Sequence, residues 1–108
     1  MSITVNLYYT GKDGSAKAFV NEMIESGVVE AIRSEDGNEK YDYFFSADDP
    51  ETVLLIDQWR DQEAIDVHHA SWMMDKLAEL RDKYDLHMRV ERFEPIGMET
   101  KDEKFLRR

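Results

Sequence analysis

The chain has 108 residues, enough for one domain around one modest core, and its 42% hydrophobic and 35% charged residues exclude a disordered or fibrous protein. Cysteine is absent, which removes disulfides, thiolate catalysis and cysteine-held metal centres together. Acidic side chains number 24 against 14 basic ones, a formal charge of −10 that repels phosphate backbones and anionic lipid, so neither nucleic acid nor membrane is an expected partner.

Met1 to Asn6 lacks the basic-then-apolar pattern of a secretion signal, and the longest clean apolar run is Val53 to Ile56, so a cytoplasmic location is expected. Ile3, Val5, Leu7 and Tyr9 alternate with Thr4, Asn6 and Tyr8, the period of a strand with two different faces. Gly11 to Gly14 ends it. From Ser15, read as an N-cap, Ala16, Phe19, Val20, Met23 and Ile24 recur at helical spacing until Gly27, a natural residue past a helix end. Residues 28–36 carry mixed signals. Asp36-Gly37-Asn38 reads as a turn into a strand with Tyr41, Tyr43 and Phe45 on one face and Phe44 on the other. Asp48-Asp49-Pro50 turns the chain again into a strand over about 52–59, and the short connection makes an antiparallel hairpin the economical pairing.

Asp61 can cap a short helix around Ala64 to Val67, and Met73, Leu77, Leu80 and Tyr84 share the stripe of a longer one. Leu86, Met88 and Val90 alternate with His87, Arg89 and Glu91 in a last strand that ends near Pro95. The order βαββαβ, with right-handed crossovers, predicts an α+β, ferredoxin-like four-stranded antiparallel sheet with both helices on one face. Residues 1–96 form that domain. Residues 97–108 form a charged tail whose Phe105-Leu106 pair is either a solvated terminus or an arm reaching a partner. Apolar side chains fall on both faces of the middle strands, yet two helices cover only one face, so the expected remedy is a homodimer with its sheets face to face, a dimeric α+β barrel.

The segments Glu35-Asp36-Gly37-Asn38 into Tyr41-Asp42, Ser46-Ala47-Asp48-Asp49-Pro50-Glu51-Thr52, and above all the run from Asp57 through Trp59 to His68, carry a resemblance. They follow the pattern of an acid, one residue, an aromatic, a polar turn, an alanine and a histidine nine residues after the aromatic. On these residues the chain, over about 3–93, resembles the antibiotic biosynthesis monooxygenase domain family of small dimeric ferredoxin-like proteins. Some similar proteins degrade haem with a first-strand asparagine, a tryptophan and a helix histidine. Asn6 matches the first, but His68 stands where they have the tryptophan and Ala78 where they have the histidine, so haem chemistry is not implied.

Read from the residues alone, Asp57 and Trp59 share one strand face, and the tight turn after Trp59 returns the next helix across the strand end, bringing His68 over the indole. A histidine accepts a proton near neutrality, and a neighbouring carboxylate orients it or holds its charge. The structural alternatives are a His68 that caps a helix or bonds a backbone carbonyl and an Asp57 paired with a surface cation. His69, turned by about 100° on a helix, points away from His68 and is expected in solvent. Adjacent histidines make poor metal ligands, and no Gly-rich strand-to-helix turn cradles a nucleotide, so neither metal nor organic cofactor is expected. The resemblance implies a cofactor-independent monooxygenase acting on a small electron-rich aromatic, a quinol or polyphenol, with O₂. In that reading His68 is the base, Asp57 its partner, Asn6 holds a substrate oxygen, and Tyr43, Trp59, Trp72 and Met73 are walls. An isomerase using the same base and a non-catalytic binder of a hydrophobic metabolite remain open beside it.

Overall fold

The computed structural model describes residues 1–107. Its strands are β1 (Ile3–Thr10), β2 (Asn38–Phe45), β3 (Thr52–Trp59) and β4 (His87–Phe93), and its helices are α1 (Ser15–Glu25), α2 (Val28–Arg33), α3 (Gln62–His69) and α4 (Trp72–Lys83). The sheet runs β2-β3-β1-β4 with every neighbouring pair antiparallel, the ferredoxin-like order with β1 and β3 inside. The mixed signals after Gly27 resolve into α2, a helix the sequence reading lacks. Gly27, at φ 84°, ends α1 and caps α2 at once, so the two helices meet at a corner only a residue without Cβ adopts freely. Gly14, in the left-handed region, is the N-cap of α1, and Ser15 is its first residue, accepting from the Lys12 amide. Asp61 caps α3 as expected, its carboxylate accepting from Ala64 N–H at 2.9 Å, and the helix runs to His69 rather than Val67.

One face of the sheet is covered and the other is open. Ile3, Tyr9, Tyr41, Val53, Leu55 and Trp59 belong to the core with Phe19, Met23, Ile32, Leu77 and Leu80 from the helices. Register puts Val5, Asp57 and Tyr41 in one row, and Leu7, Leu55 and Tyr43 in the next. Both tyrosines therefore face the helices: Tyr43 meets Phe19 edge-on at 6.1 Å and Tyr41 at 5.6 Å. The open face carries Asn6, Tyr8, Phe44, Leu54 and Ile56, the intervening residues of the same strands. A short 3-10 helix, Thr100–Phe105, follows β4, and Phe105 on it is exposed. Among the described residues no helix is long and apolar enough to cross a membrane.

Candidate functional site

A cavity of about 300 Å³ lies between the covered face of the sheet and helices α3 and α4. That is the lower end of the size range of small-molecule pockets. Its walls are mainly apolar, from Val5, Leu7, Leu55, Ile65, Leu77 and Val90, and its polar groups are few: Tyr9, Tyr41, Asp57, His68, His69, Arg81 and Arg92. It is closed toward the middle of the sheet and open beside the edge strand β4, where Met88 and Val90 remain about half exposed.

Trp59 ends β3 and is 1% exposed. Arg60 and Asp61 turn the chain, and the buried stripe of α3, Ala64, Ile65 and His68, then packs back over the strand end. His68 stacks on the Trp59 indole with ring centroids 4.7 Å apart and planes 30° apart. The imidazole is 4% exposed, and its Nδ1 lies 2.6 Å from Glu35 Oε2. A carboxylate only accepts, so Glu35 selects the tautomer with the proton on Nδ1 and leaves Nε2 as an acceptor. Nε2 has no hydrogen-bond partner among the described residues, and the ring lines the cavity. Burial lowers the His68 pKa from its ordinary value against the opposing pull of Glu35, so the ring is neutral at pH 7.

Glu35 is placed by local backbone geometry. Its amide donates to Ile32 carbonyl at the end of α2, its carbonyl accepts from Asn38, and Gly37 between them has φ 89°. A Cβ on Gly37 would stand 2.6 Å from the Ala64 Cβ, so the start of α3 packs directly on this turn. The turn thereby fixes Glu35 against the helix that carries His68.

Asp57 does not partner His68. It sits mid-strand on β3 between Val5 and Tyr41, 8% exposed, and its Oδ1 has no hydrogen-bond partner. Desolvation raises its pKa to about 7, the Trp59 indole opposing and the Glu35 charge adding to the rise. The carboxyl therefore exchanges a proton near neutrality. The Tyr9 hydroxyl is likewise buried without a well-formed hydrogen bond, and burial lifts its pKa to about 12 against the opposing pull of the Arg81 guanidinium. Burial also raises Tyr41 and Tyr43, whose hydroxyls meet at 3.3 Å.

Of the residues expected at the site, His68, Trp59 and Asp57 line this one cavity. Asn6 does not. It pairs across to Ile56 and Glu91 on the open face, because strand alternation sends residue 6 opposite to Val5 and Leu7. Tyr43 faces the helices but lines a separate hollow with Val20, Ile24 and Phe44. Trp72, at the first turn of α4, is 61% exposed, and Met73 packs into the core; the next residue on the helix, Met74, is the one at the wall. His69 is exposed but stands at the cavity rim, 5.9 Å from the His68 ring, so the adjacent imidazoles do reach one cavity, one in its wall and one at its edge. The sequence reading lacks Glu35 as a site residue, and also Tyr9, Arg81 and Arg92. The acid before the Asp-Gly turn is a usable signal for Glu35, but 33 residues separate it from His68.

Comparison with known proteins agrees with this architecture. Residues 2–80 match the model of the family described as antibiotic biosynthesis monooxygenase. The crystal structure of an antibiotic biosynthesis monooxygenase superposes with a TM-score of 0.74 at 23% identity, covering 88% of this chain and 99% of that one. A Pseudomonas aeruginosa protein superposes at 0.76 with 22% identity, over 89% and 95% of the two chains. A Mycobacterium tuberculosis protein does so at 0.72 with 20% identity, over 91% and 98%. A search of curated proteins found no match. At such identities the structural likenesses speak for the fold, while the sequence match spans well over half of the residues. The chain belongs to the antibiotic biosynthesis monooxygenase family.

Proposed function

We propose that this protein is a cofactor-independent monooxygenase that oxidises a small electron-rich aromatic, a quinol or polyphenol, with His68 as the base. The observation that carries the reading is the buried imidazole stacked on Trp59 and held through Nδ1 by Glu35, with its other nitrogen unpartnered in a mostly apolar cavity. A base in that state takes a phenolic proton without first losing one of its own. The phenolate then passes one electron to O₂, and the radical and superoxide join as a carbon-bound peroxide. The peroxide takes up the proton held on His68. Loss of hydroxide and of the proton on the same ring carbon leaves one oxygen atom as a carbonyl and the other as water. Asp57, titrating near neutrality in the same cavity, is a second group able to receive or return a proton. The apolar walls keep water from the anion and the peroxide.

The open face of the sheet, with Phe44 and Phe93 each about half exposed, is proposed to be covered by a second copy of the chain. The reaction is tested by oxygen uptake with a panel of quinols and hydroxylated polycyclic aromatics, using protein stripped of metals. Uptake with one oxygen atom of O₂ incorporated into the product supports the reading, and its loss in His68→Gln assigns the base. Proton exchange or isomerisation without oxygen consumption would replace the monooxygenase by an isomerase.

A further inference from the structure

The polar groups of the cavity are sorted from its closed side to its open side. On the closed side Asp57 Oδ1 is buried with no partner on a side chain 8% exposed, and the Tyr9 hydroxyl, on a side chain 0% exposed, makes no well-formed hydrogen bond and has the Arg81 guanidinium beside it. A buried polar atom left unpaired costs about 1–3 kcal/mol, so these two favour a ligand group that both donates and accepts. On the open side stands the Arg92 guanidinium from β4, while the Arg81 guanidinium from α4 reaches from the Met88 sulfur toward the Tyr9 hydroxyl. Among the arginines of the strands and helices and the turns between them, Arg33, Arg60 and Arg89 each pair with a carboxylate. Arg81 and Arg92 instead contact uncharged atoms: Arg81 the Met88 sulfur at 3.1 Å, Arg92 the side-chain oxygen of Gln62. Gln62 positions the Arg92 guanidinium without neutralising it. Of these five arginines, the two without a carboxylate partner both line one apolar cavity, which leaves their charge available to an anion there.

Strand register sets the span between the two sides. Asp57, Val5 and Arg92 form one row across β3, β1 and β4, so the backbones of Asp57 and Arg92 stand two strand spacings apart, roughly 10 Å. Val5, Leu7 and Val90 floor the interval with apolar surface.

We propose that the ligand of this cavity is an aromatic acid, with an uncharged hydroxyl or carbonyl toward Asp57 and Tyr9, a flat ring system over the apolar floor, and a carboxylate at Arg92 within the field of Arg81. The assignment rests on the cavity being the substrate site and narrows the substrate from electron-rich aromatics in general to those bearing an acid at the far end.

The probes are 6-hydroxy-2-naphthoate and 2-naphthol, which share ring system and hydroxyl and differ in the carboxylate. Equilibrium binding to the full chain is followed by calorimetry and by quenching of Trp59, without turnover. The expected result is about tenfold or tighter binding of the acid, the scale of one charge-assisted hydrogen bond, with the preference shrinking as salt rises. Arg92→Gln is expected to remove most of that preference, weakening the acid far more than 2-naphthol, with circular dichroism reporting that the variant is folded. Arg81→Gln is expected to reduce the preference by less. Equal affinity of the wild-type protein for the two probes, or no binding of either, overturns the assignment whatever the variants do, and so does an Arg92→Gln protein that keeps the full preference. Oxygen uptake separates this from the proposed reaction: tight binding of the acid with no oxygen consumed sinks the monooxygenase and leaves the ligand class standing, while turnover of neutral quinols with no preference for acids does the reverse.

Discussion

The two faces of the sheet are built from the same strands and differ in what they are asked to hold. On β1, Val5, Leu7 and Tyr9 look toward the helices and border the cavity, while Asn6 and Tyr8 look the other way, onto a face no helix covers. On β3, Asp57 and Trp59 belong to the cavity and Ile56 and Gln58 to the open face. A change of one position along either strand therefore exchanges a site residue for a surface one. The covered face tolerates a buried Asp57 carboxyl, one oxygen of which has no partner, and a buried imidazole at a cost in stability. The open face leaves Phe44 and Phe93 about half exposed and Leu54 and Ile56 only partly buried. In the proposed reading chemistry and assembly are segregated by strand parity, and variants on the two faces should have separable effects.

The largest effect is expected at His68. His68→Gln keeps an acceptor of similar size on the Trp59 stack but not a proton acceptor of the right strength, so oxygen uptake should fall by about 10²–10⁴-fold with the fold intact by circular dichroism. Unchanged turnover would remove His68 as the base and with it the functional contrast between the faces. In the wild-type protein, turnover should also fall on the acid side of an apparent pKa below 6.5, since burial lowers the His68 value and the protonated ring cannot accept.

Asp57→Asn sharpens the comparison through stability. The carboxyl titrates at about 7 in the folded chain and near 3.8 when exposed, so between those pH values the folded state holds a proton the unfolded state has released. Stability therefore falls as pH rises from about 4 to about 7 and is flat above. Removing the ionisable group should stabilise the protein by about 2–4 kcal/mol at pH 8 and by almost nothing at pH 4. Urea melts at the two pH values measure this, and an equal effect at both would mean that Asp57 is not desolvated.

Glu35→Gln tests the support of the imidazole. An amide can still bond Nδ1 but stabilises the imidazolium less, so turnover should drop by about tenfold and its acid limb should move to lower pH. A drop with no movement of the limb would reduce Glu35 to packing.

The smallest effect on chemistry is expected from the open face. Ile56→Glu should leave ligand binding in the cavity within about twofold while shifting sedimentation from dimer to monomer, as expected of a charge placed in an apolar interface. A monomeric wild-type protein would instead sink the proposed cover.

Much of this was legible before any coordinates. Period-2 patterning located the strands, and the element order implied the sheet order, because a right-handed crossover leaves few alternatives. The Trp59 to His68 interval was legible for the same reason: a strand end, a capped turn and two helical turns leave the ring one place to land. The α2 helix was hidden because Val28 to Arg33 is too short for periodicity to declare itself. Asn6 was misassigned to the cavity because Trp59 and residue 6 sit on different strands, and only register says which parity of β1 matches which parity of β3. Glu35 was missed as a partner because the nearer candidate in sequence was Asp57, whose side chain shares the cavity without reaching His68.

Local amino-acid order by itself determined the four strands, the helices other than α2, their sequence, and the histidine that lies over the tryptophan, since these follow from spacing along one chain. Only the tertiary structure decided which carboxyl holds that histidine, which carboxyl is left proton-hungry, and where the two arginines without a carboxylate partner lie. Those depend on strand register and on a turn fixed by Gly37 against Ala64, which bring together residues that no periodicity connects.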